Sequence, residues 1–334
     1  MRLERFGFRA MGSPCELQLW GLSRDALRPH AQACLNEILR LERKYSRYRE
    51  DSLASRINRS AGDPRGIEVD EETAALLDFA QTAHRESDGR FDPTSGVLRR
   101  VWRFDSGRLP DPEALEATRA LVGWSQLRWE RPRLILPTAG MELDFGGFVK
   151  EYAADRAAAL CRSRGLVSGM VDLGGDLAVV GAHPDGRPWS VGIRHPRHPD
   201  RAIARIPLAA GGLATSGDYE RFMIVDGVRH SHLLDPRTGQ SFREGPACVS
   251  VVAPCCLIAG VTSTIAMLHP EPRSRDFLEG IGLPHLLVRQ SGEVEGTTIP
   301  AGSTSASTTT SRHRSRAAST LRTAQGLRSA TAGR

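Results

Sequence analysis

Five short apolar runs, 170–181, 189–194, 203–208, 221–225 and 248–253, follow one another in the second half of the chain, each bounded by Gly or Pro. Runs of this length with such boundaries read as strands, because Gly and Pro punctuate a sheet and a helix needs a longer period. Isolated stretches of helical spacing surround them. In residues 25–44, Leu27, Ala31, Cys34, Leu35, Ile38 and Leu41 fall on one face, as an amphipathic helix requires. A second helix is predicted over 70–87, a third over 148–165 with Gly165 as its stop, and a fourth over 257–268. A first strand is expected from Phe6 to Trp20 and a last one near 285–289, while 105–141 reads as an irregular connection plus a hairpin. Blocks of strands broken by single helices predict an α+β fold, not a regular βαβ series.

Charge is informative by its position. The net charge of +6 resides in the last 34 residues, 301–334, which hold six Arg and no acid and leave the body neutral. A basic face for nucleic acid is therefore not indicated. That Ser/Thr/Ala/Arg tail has too little apolar surface to offset ordering and is expected to be disordered. Residues 1–300 then form the folded domain.

Several chemistries are excluded by their motifs. Lys44 and Lys150 are the two lysines, and neither lies in a Gly-Lys-Ser/Thr phosphate loop. His-Glu-x-x-His and Gly-x-Gly-x-x-Gly are both absent, which weighs against zincin and dinucleotide-fold readings. The six cysteines show no Cys-x-x-Cys spacing, so buried free thiols are expected. No transmembrane run, signal peptide or lipoprotein signal is visible, and the expectation is a cytoplasmic protein.

Four polar, glycine-rich segments carry the candidate chemistry. The first is Gly89-Arg90-Phe91-Asp92-Pro93-Thr94-Ser95-Gly96. The second, Asp144-Phe145-Gly146-Gly147-Phe148-Val149-Lys150-Glu151, places an acid, two glycines and a lysine at a helix entrance. Free amides and the helix dipole favour an anion there, although a simple Asp cap accounts for the same pattern. The third is Val171-Asp172-Leu173-Gly174-Gly175-Asp176, with glycines inside a strand pattern. The fourth joins Thr215-Ser216-Gly217-Asp218-Tyr219 to Ser231-His232-Leu233-Leu234-Asp235-Pro236. In it His232 and Asp235 form an acid/base pair, or the Asp orients a structural His.

Together with Met11-Gly12-Ser13 in the first strand, Ser46-Arg47-Tyr48 and Ser52 to Asn58, these segments resemble, in order over residues 6–298, the ApbE-type FAD:protein FMN transferases. The resemblance implies a fold of mixed and antiparallel sheets packed with helices, similar to the T-fold. It also implies a reaction: with a divalent ion such as Mg2+, the FMN half of FAD moves to a Thr or Ser of an acceptor flavoprotein and AMP leaves. Met11, Tyr48, Arg90, Phe91, Asp92, Asp144 and Lys150 match FAD-contacting positions, and Lys150 and His232 are the candidate catalytic residues. Gly147 and Thr264 match metal ligands. The alternatives are a non-catalytic FAD-binding protein and an FAD pyrophosphatase giving FMN and AMP.

Two positions depart from the family pattern. Gly260 stands where a metal-binding Asp is usual, and Glu151 follows Lys150 where Gly is usual. Magnesium prefers carboxylate ligands, so a weakened metal site is expected, with Gly260→Asp restoring activity at lower Mg2+.

Overall fold

The computed structural model of the chain describes residues 1–297, and the tail at 301–334, expected to be disordered, lies outside the described residues. The chain opens with β1 (Arg2–Ala10) and β2 (Ser13–Gly21), paired antiparallel from Arg2↔Gly21 to Ala10↔Ser13. The single strand expected from Phe6 to Trp20 is thus a hairpin. Met11 (φ 53°) and Gly12 (φ 73°) are consecutive left-handed residues, the geometry of a two-residue turn that matches strand twist. Met11 sits at the hairpin tip, not within a strand as the sequence suggested.

Helix α1 (Arg24–Tyr45) starts where Ser23 Oγ accepts the Ala26 amide, and it buries Leu27, Ala31, Cys34, Ile38 and Leu41. A short helix α2 (Leu53–Arg59), capped by Ser52, and a short strand β3 (Ile67–Glu68) come next. The predicted second helix is α3 (Glu71–Glu86), capped by Asp70. Residues 105–141 are more regular than expected. They hold α4 (Pro112–Arg119), capped by Asp111, before the hairpin of β4 (Arg128–Glu130) and β5 (Arg133–Ile135). Helix α5 (Val149–Ser163) then crosses to the main sheet.

The run 170–181 is itself a hairpin, β6 (Gly169–Leu173) and β7 (Asp176–Gly181), turning at Gly174 and Gly175. There follow β8 (Trp189–Arg194), β9 (Ala202–Leu208), β10 (Gly212–Gly217), β11 (Phe222–Val225), β12 (Val228–Ser231) and β13 (Cys248–Ala253). The described chain closes with α6 (Cys256–Met267), α7 (Glu271–Ile281), β14 (His285–Val288) and β15 (Val294–Gly296). Eight strands form one sheet in the order β1-β2-β6-β7-β10-β13-β14-β15, with every neighbouring pair antiparallel. The fold is α+β with antiparallel sheets, as expected.

The central strands look apolar throughout because both faces of the sheet are covered. Val171, Leu173, Ala178, Val180, Ala214, Val249, Val251 and Leu287 join the core under α1, α5 and α6. Their neighbours Met170, Leu177, Val179, Leu213, Cys248, Leu286 and Val288 form a second core with Trp189, Ile193, Ile206 and Leu208 of the β8–β9 hairpin. Period-two alternation therefore divides one sequence run between two cores. All six cysteines are buried free thiols. No helix among the described residues is long and apolar enough to cross a membrane.

Candidate functional site

The β6–β7 turn brings three of the glycine-rich segments together. Gly174 (φ 65°) and Gly175 (φ 91°) adopt left-handed backbone, and Asp172 Oδ1 holds the turn by accepting the Gly175 amide at 2.8 Å. A Cβ on Gly174 would lie 2.7 Å from Ser13 Cβ and 3.8 Å from Lys150 Nζ. The glycine thus lets the β1–β2 tip, the β6–β7 turn and the start of α5 meet. Met11 is fixed at that tip by its amide, which donates to Glu42 Oε1 at 2.8 Å.

Lys150 points at Asp176, with Nζ 2.7 Å from Oδ2, and about a quarter of its side chain (26%) stays accessible. Burial alone lowers an ammonium pKa, but the charges of Asp176 and Glu151 outweigh it and hold Lys150 above its ordinary value. It is a fixed cation. Asp176 is buried, and burial raises its pKa against the pull of Lys150 and the Thr215 amide. From Thr215 the chain of contacts continues along β10. Ser216 Oγ lies 2.8 Å from Ser263 Oγ and 3.1 Å from Thr264 Oγ1 on α6, and Ser263 Oγ donates to the Gly260 carbonyl.

Glu151 completes this constellation. The residue is only 8% exposed, and its Oε2 has no hydrogen-bond partner among the described residues. Burial, reinforced by the negative charge of Asp176, pushes its carboxyl up to about 8. Its side chain lies against Gly260, where an added Cβ would be 2.6 Å from Glu151 Cγ and 2.9 Å from Oε1. Gly260 lies within α6, in backbone any residue adopts, so its smallness serves space and not conformation. The expectation that Gly260→Asp simply restores a ligand is therefore corrected: Glu151 already fills the volume that side chain needs. Helix α6 is itself held by α5, since Asp155 accepts the Cys256 and Leu257 amides at 2.8 and 2.9 Å.

A second group of charges surrounds Asp144. Its Oδ2 accepts from Arg47 Nη1 at 3.2 Å and Arg99 Nη1 at 2.6 Å, while Oδ1 accepts the Gly146 amide at 2.8 Å. Of the two sequence readings of this Asp, the cap is the one observed. It caps the short turn Phe145–Gly147 ahead of α5, and it also anchors two guanidiniums. One carboxylate against two guanidiniums leaves positive charge beside the exposed Gly146 and Gly147. Burial, with Arg47 and Arg221 adding to it against the pull of Asp144, lowers the Arg99 pKa. Tyr48 is 79% exposed, its ring 5.2 Å from the Arg47 guanidinium.

The Arg90-Phe91-Asp92 stretch divides in role. Arg90 is buried, and its Nε and Nη1 have no hydrogen-bond partner among the described residues. Phe91 packs edge-on against Phe148. Asp92 is engaged on both oxygens: Oδ1 accepts the Thr94 amide and hydroxyl within its own loop, and Oδ2 accepts the amide of the distant Trp124 at 2.9 Å.

His232 and Asp235 do not form a pair. Asp235 is clasped by Arg237 through Nε at 2.9 Å and Nη2 at 2.5 Å, because the turn between them directs the carboxylate back along its own loop. His232 Nδ1 instead lies 3.1 Å from the Arg221 carbonyl. A carbonyl only accepts, so Nδ1 carries the proton and Nε2 is the basic nitrogen. Burial and the Arg221 charge push the ring down to about 4; it is neutral at pH 7. A cavity of 380 Å³ is lined by Asp218 and Ser231 of the fourth segment together with Arg197, Arg229 and Arg243.

The sequence reading missed Asp176 as the partner of Lys150 and Arg99 as a partner of Asp144. Asp176 had a signal in the glycine pair before it; Arg99 had none. Among the described residues no cluster of three or more His, Cys, Asp or Glu side chains forms a metal cage.

Comparison with known proteins covers the whole site. The model of the ApbE family matches residues 11–287. A Vibrio cholerae protein named FAD:protein FMN transferase is 31% identical over 250 residues, covering 73% of this chain and 74% of that one. One from Treponema pallidum with the same name is 31% identical over 294 residues, covering 78% and 80%. The crystal structure of the ApbE protein from Thermotoga maritima superposes with a TM-score of 0.81 at 31% identity, covering 89% of this chain and 97% of that one. The apo flavinyl transferase ApbE of Pseudomonas stutzeri gives 0.76 at 30% identity, covering 90% and 95%.

Proposed function

Because the chain belongs to the ApbE family, we propose that it is an FAD:protein FMN transferase, which moves FMN from FAD to an acceptor flavoprotein and releases AMP. The observation that carries the reading is the convergence of Lys150, Asp176, Thr215, Ser216, Ser263 and Thr264 around the β6–β7 turn, beside the Asp144 loop. A pyrophosphate requires fixed positive charge and donors that are already oriented, since positioning and electrostatics dominate phosphoryl transfer. Lys150 supplies the fixed cation. The Arg47–Asp144–Arg99 group and the open donors of buried Arg90 supply further positive charge for the dinucleotide.

The hydroxyl oxygen of an acceptor Thr or Ser bonds to the phosphorus of the FMN half. The bond from that phosphorus to the oxygen it shares with the AMP half breaks, and AMP leaves with the electron pair. His232 Nε2, unprotonated at neutral pH, takes the hydroxyl proton. A divalent ion such as Mg2+, when bound, supplies charge neutralisation as the pyrophosphate bond breaks. Thr264 and the Gly147 carbonyl are the residues that resemble its ligands, and the unpaired Oε2 of Glu151, whose side chain packs against Gly260, fits such an ion.

Incubating the chain with FAD, Mg2+ and a small flavoprotein domain presenting an accessible Thr tests the reading. Mass spectrometry of the acceptor and chromatography of the nucleotides are the readouts. Covalent FMN on the acceptor with matching AMP is expected. Free FMN with AMP identifies a pyrophosphatase, and unchanged FAD identifies a binding protein.

A further inference from the structure

We infer that Glu151 is the carboxylate ligand of a divalent-cation site between α5 and α6, and that the glycine at 260 exists to admit it. The inference rests on the transferase reading for the use of the ion, but its own evidence is local. Glu151 is 8% exposed and Oε2 finds no donor among the described residues. A carboxylate oxygen buried without a donor is costly, whereas a bound cation removes the cost. The neighbouring ammonium does not serve, because Lys150 Nζ is engaged by Asp176 at 2.7 Å.

The walls of the site are oxygen-rich. Glu151 lies against Gly260, whose missing Cβ would come within 3.0 Å of Cγ, Oε1 and Cδ of that side chain. One turn further along α6, Thr264 carries a hydroxyl directed to the Ser216 hydroxyl at 3.1 Å. A carboxylate and hydroxyls suit a hard cation of the Mg2+ or Mn2+ class.

Glycine within a helix is unfavourable unless space demands it. Here space demands it, since any side chain at 260 would displace Glu151. The two departures from the family pattern are therefore one exchange: the carboxylate comes from α5 and the glycine from α6. The ion's negative ligand is relocated, and the metal site is not weakened by the loss at 260.

The test is a titration of the full chain with Mn2+, followed by electron paramagnetic resonance, which needs no turnover. Glu151→Gln keeps the volume and removes the charge, and it is expected to weaken Mn2+ binding at least tenfold with an unchanged far-ultraviolet spectrum. Glu151→Gly is expected to do the same. Glu151→Gly/Gly260→Asp, which returns the carboxylate to α6, is expected to recover binding to within threefold of the parent. Should the double variant fail to fold, Glu151→Gln alone decides the matter. Absence of Mn2+ binding by the parent, or equal affinity in parent and Glu151→Gln, overturns the proposal. FAD binding is measured in parallel without metal. A parent that fails to bind FAD while Mn2+ affinity still depends on Glu151 refutes the transferase reading and leaves the cation site standing.

Discussion

A Cβ on Gly260 would stand 2.6 Å from Cγ of Glu151, so the two positions divide a single volume between them. They lie on different helices and far apart in sequence, yet position 260 cannot gain a side chain while Glu151 keeps its place. Gly260→Asp alone is therefore expected to destabilise the chain by about 1–3 kcal/mol, the usual cost of overpacking. Urea unfolding measures it. In a Glu151→Gly background the same substitution is expected to cost much less, and equal costs in both backgrounds would contradict the shared volume.

The Lys150–Asp176 pair gives a second prediction. Removing the ammonium leaves Asp176 buried without its counter-charge, which costs about 3 kcal/mol in sites of this kind. Lys150→Ala is expected to lose roughly that much stability and also FMN transfer. Lys150→Ala/Asp176→Ala should regain much of the stability and none of the activity. Chemical denaturation and AMP release separate the two effects, and a stable, active Lys150→Ala protein would remove the pair from the account.

Helix α6 depends on a cap supplied from outside. The N-cap residue Cys255 does not cap the helix with its side chain, and Asp155 accepts the first two amides of the helix instead. Asp155→Ala is expected to cost about 1–2 kcal/mol, the value of a lost cap. Since α6 carries Gly260, Ser263 and Thr264, Mn2+ affinity should fall with it. Normal stability in the variant would show that the cap is dispensable.

Tyr48 separates binding from folding. Its ring is 79% exposed, so Tyr48→Ala is expected to leave the melting temperature unchanged. If the ring stacks on FAD, affinity falls by about 1–3 kcal/mol, as for aromatic stacking on bases. Tyr48→Phe should lose far less. Isothermal titration decides it, and equal losses for both variants would assign the effect to the hydroxyl.

Glu72 sets an acid limit. Burial raises its pKa, but hydrogen bonds and charge from Arg40 and Lys44 outweigh that and bring it down to about 2. A carboxylate depressed in the folded state contributes stability above its unfolded pKa, near 4.3 for Glu, and loses it as pH falls toward the folded value. The contribution, on the order of 2 kcal/mol at neutral pH, should thus disappear between about pH 4.3 and pH 2. Glu72→Gln is expected to flatten that part of the stability profile; an unchanged profile would show that the pairing is not energetically coupled to folding.

The long helices were legible because a single buried face imposes its period, as Leu27, Ala31, Cys34 and Ile38 do in α1. The shorter α2, α4 and α7 were not, since a few turns of polar residues leave little periodic signal. The β1–β2 turn was missed because Met11, a residue that rarely takes positive φ, occupies it at 53°. In the site, Asp144 and Lys150 were marked by glycines and by order along the chain. Asp176 was visible only as part of a weak Gly-Gly pattern. The exchange between Glu151 and Gly260 was not visible, because a carboxylate gained on α5 and one lost from α6 look like independent defects until the helices are packed together.

The most direct measurement of the central claim is phosphorus magnetic resonance of the chain with FAD, Mg2+ and a Thr-bearing acceptor domain. The account predicts that the pyrophosphate signals of FAD decay into two products in equal amounts: AMP and a protein-bound phosphodiester. Persistence of the FAD signals, or their conversion to AMP and free FMN monoester alone, would contradict it.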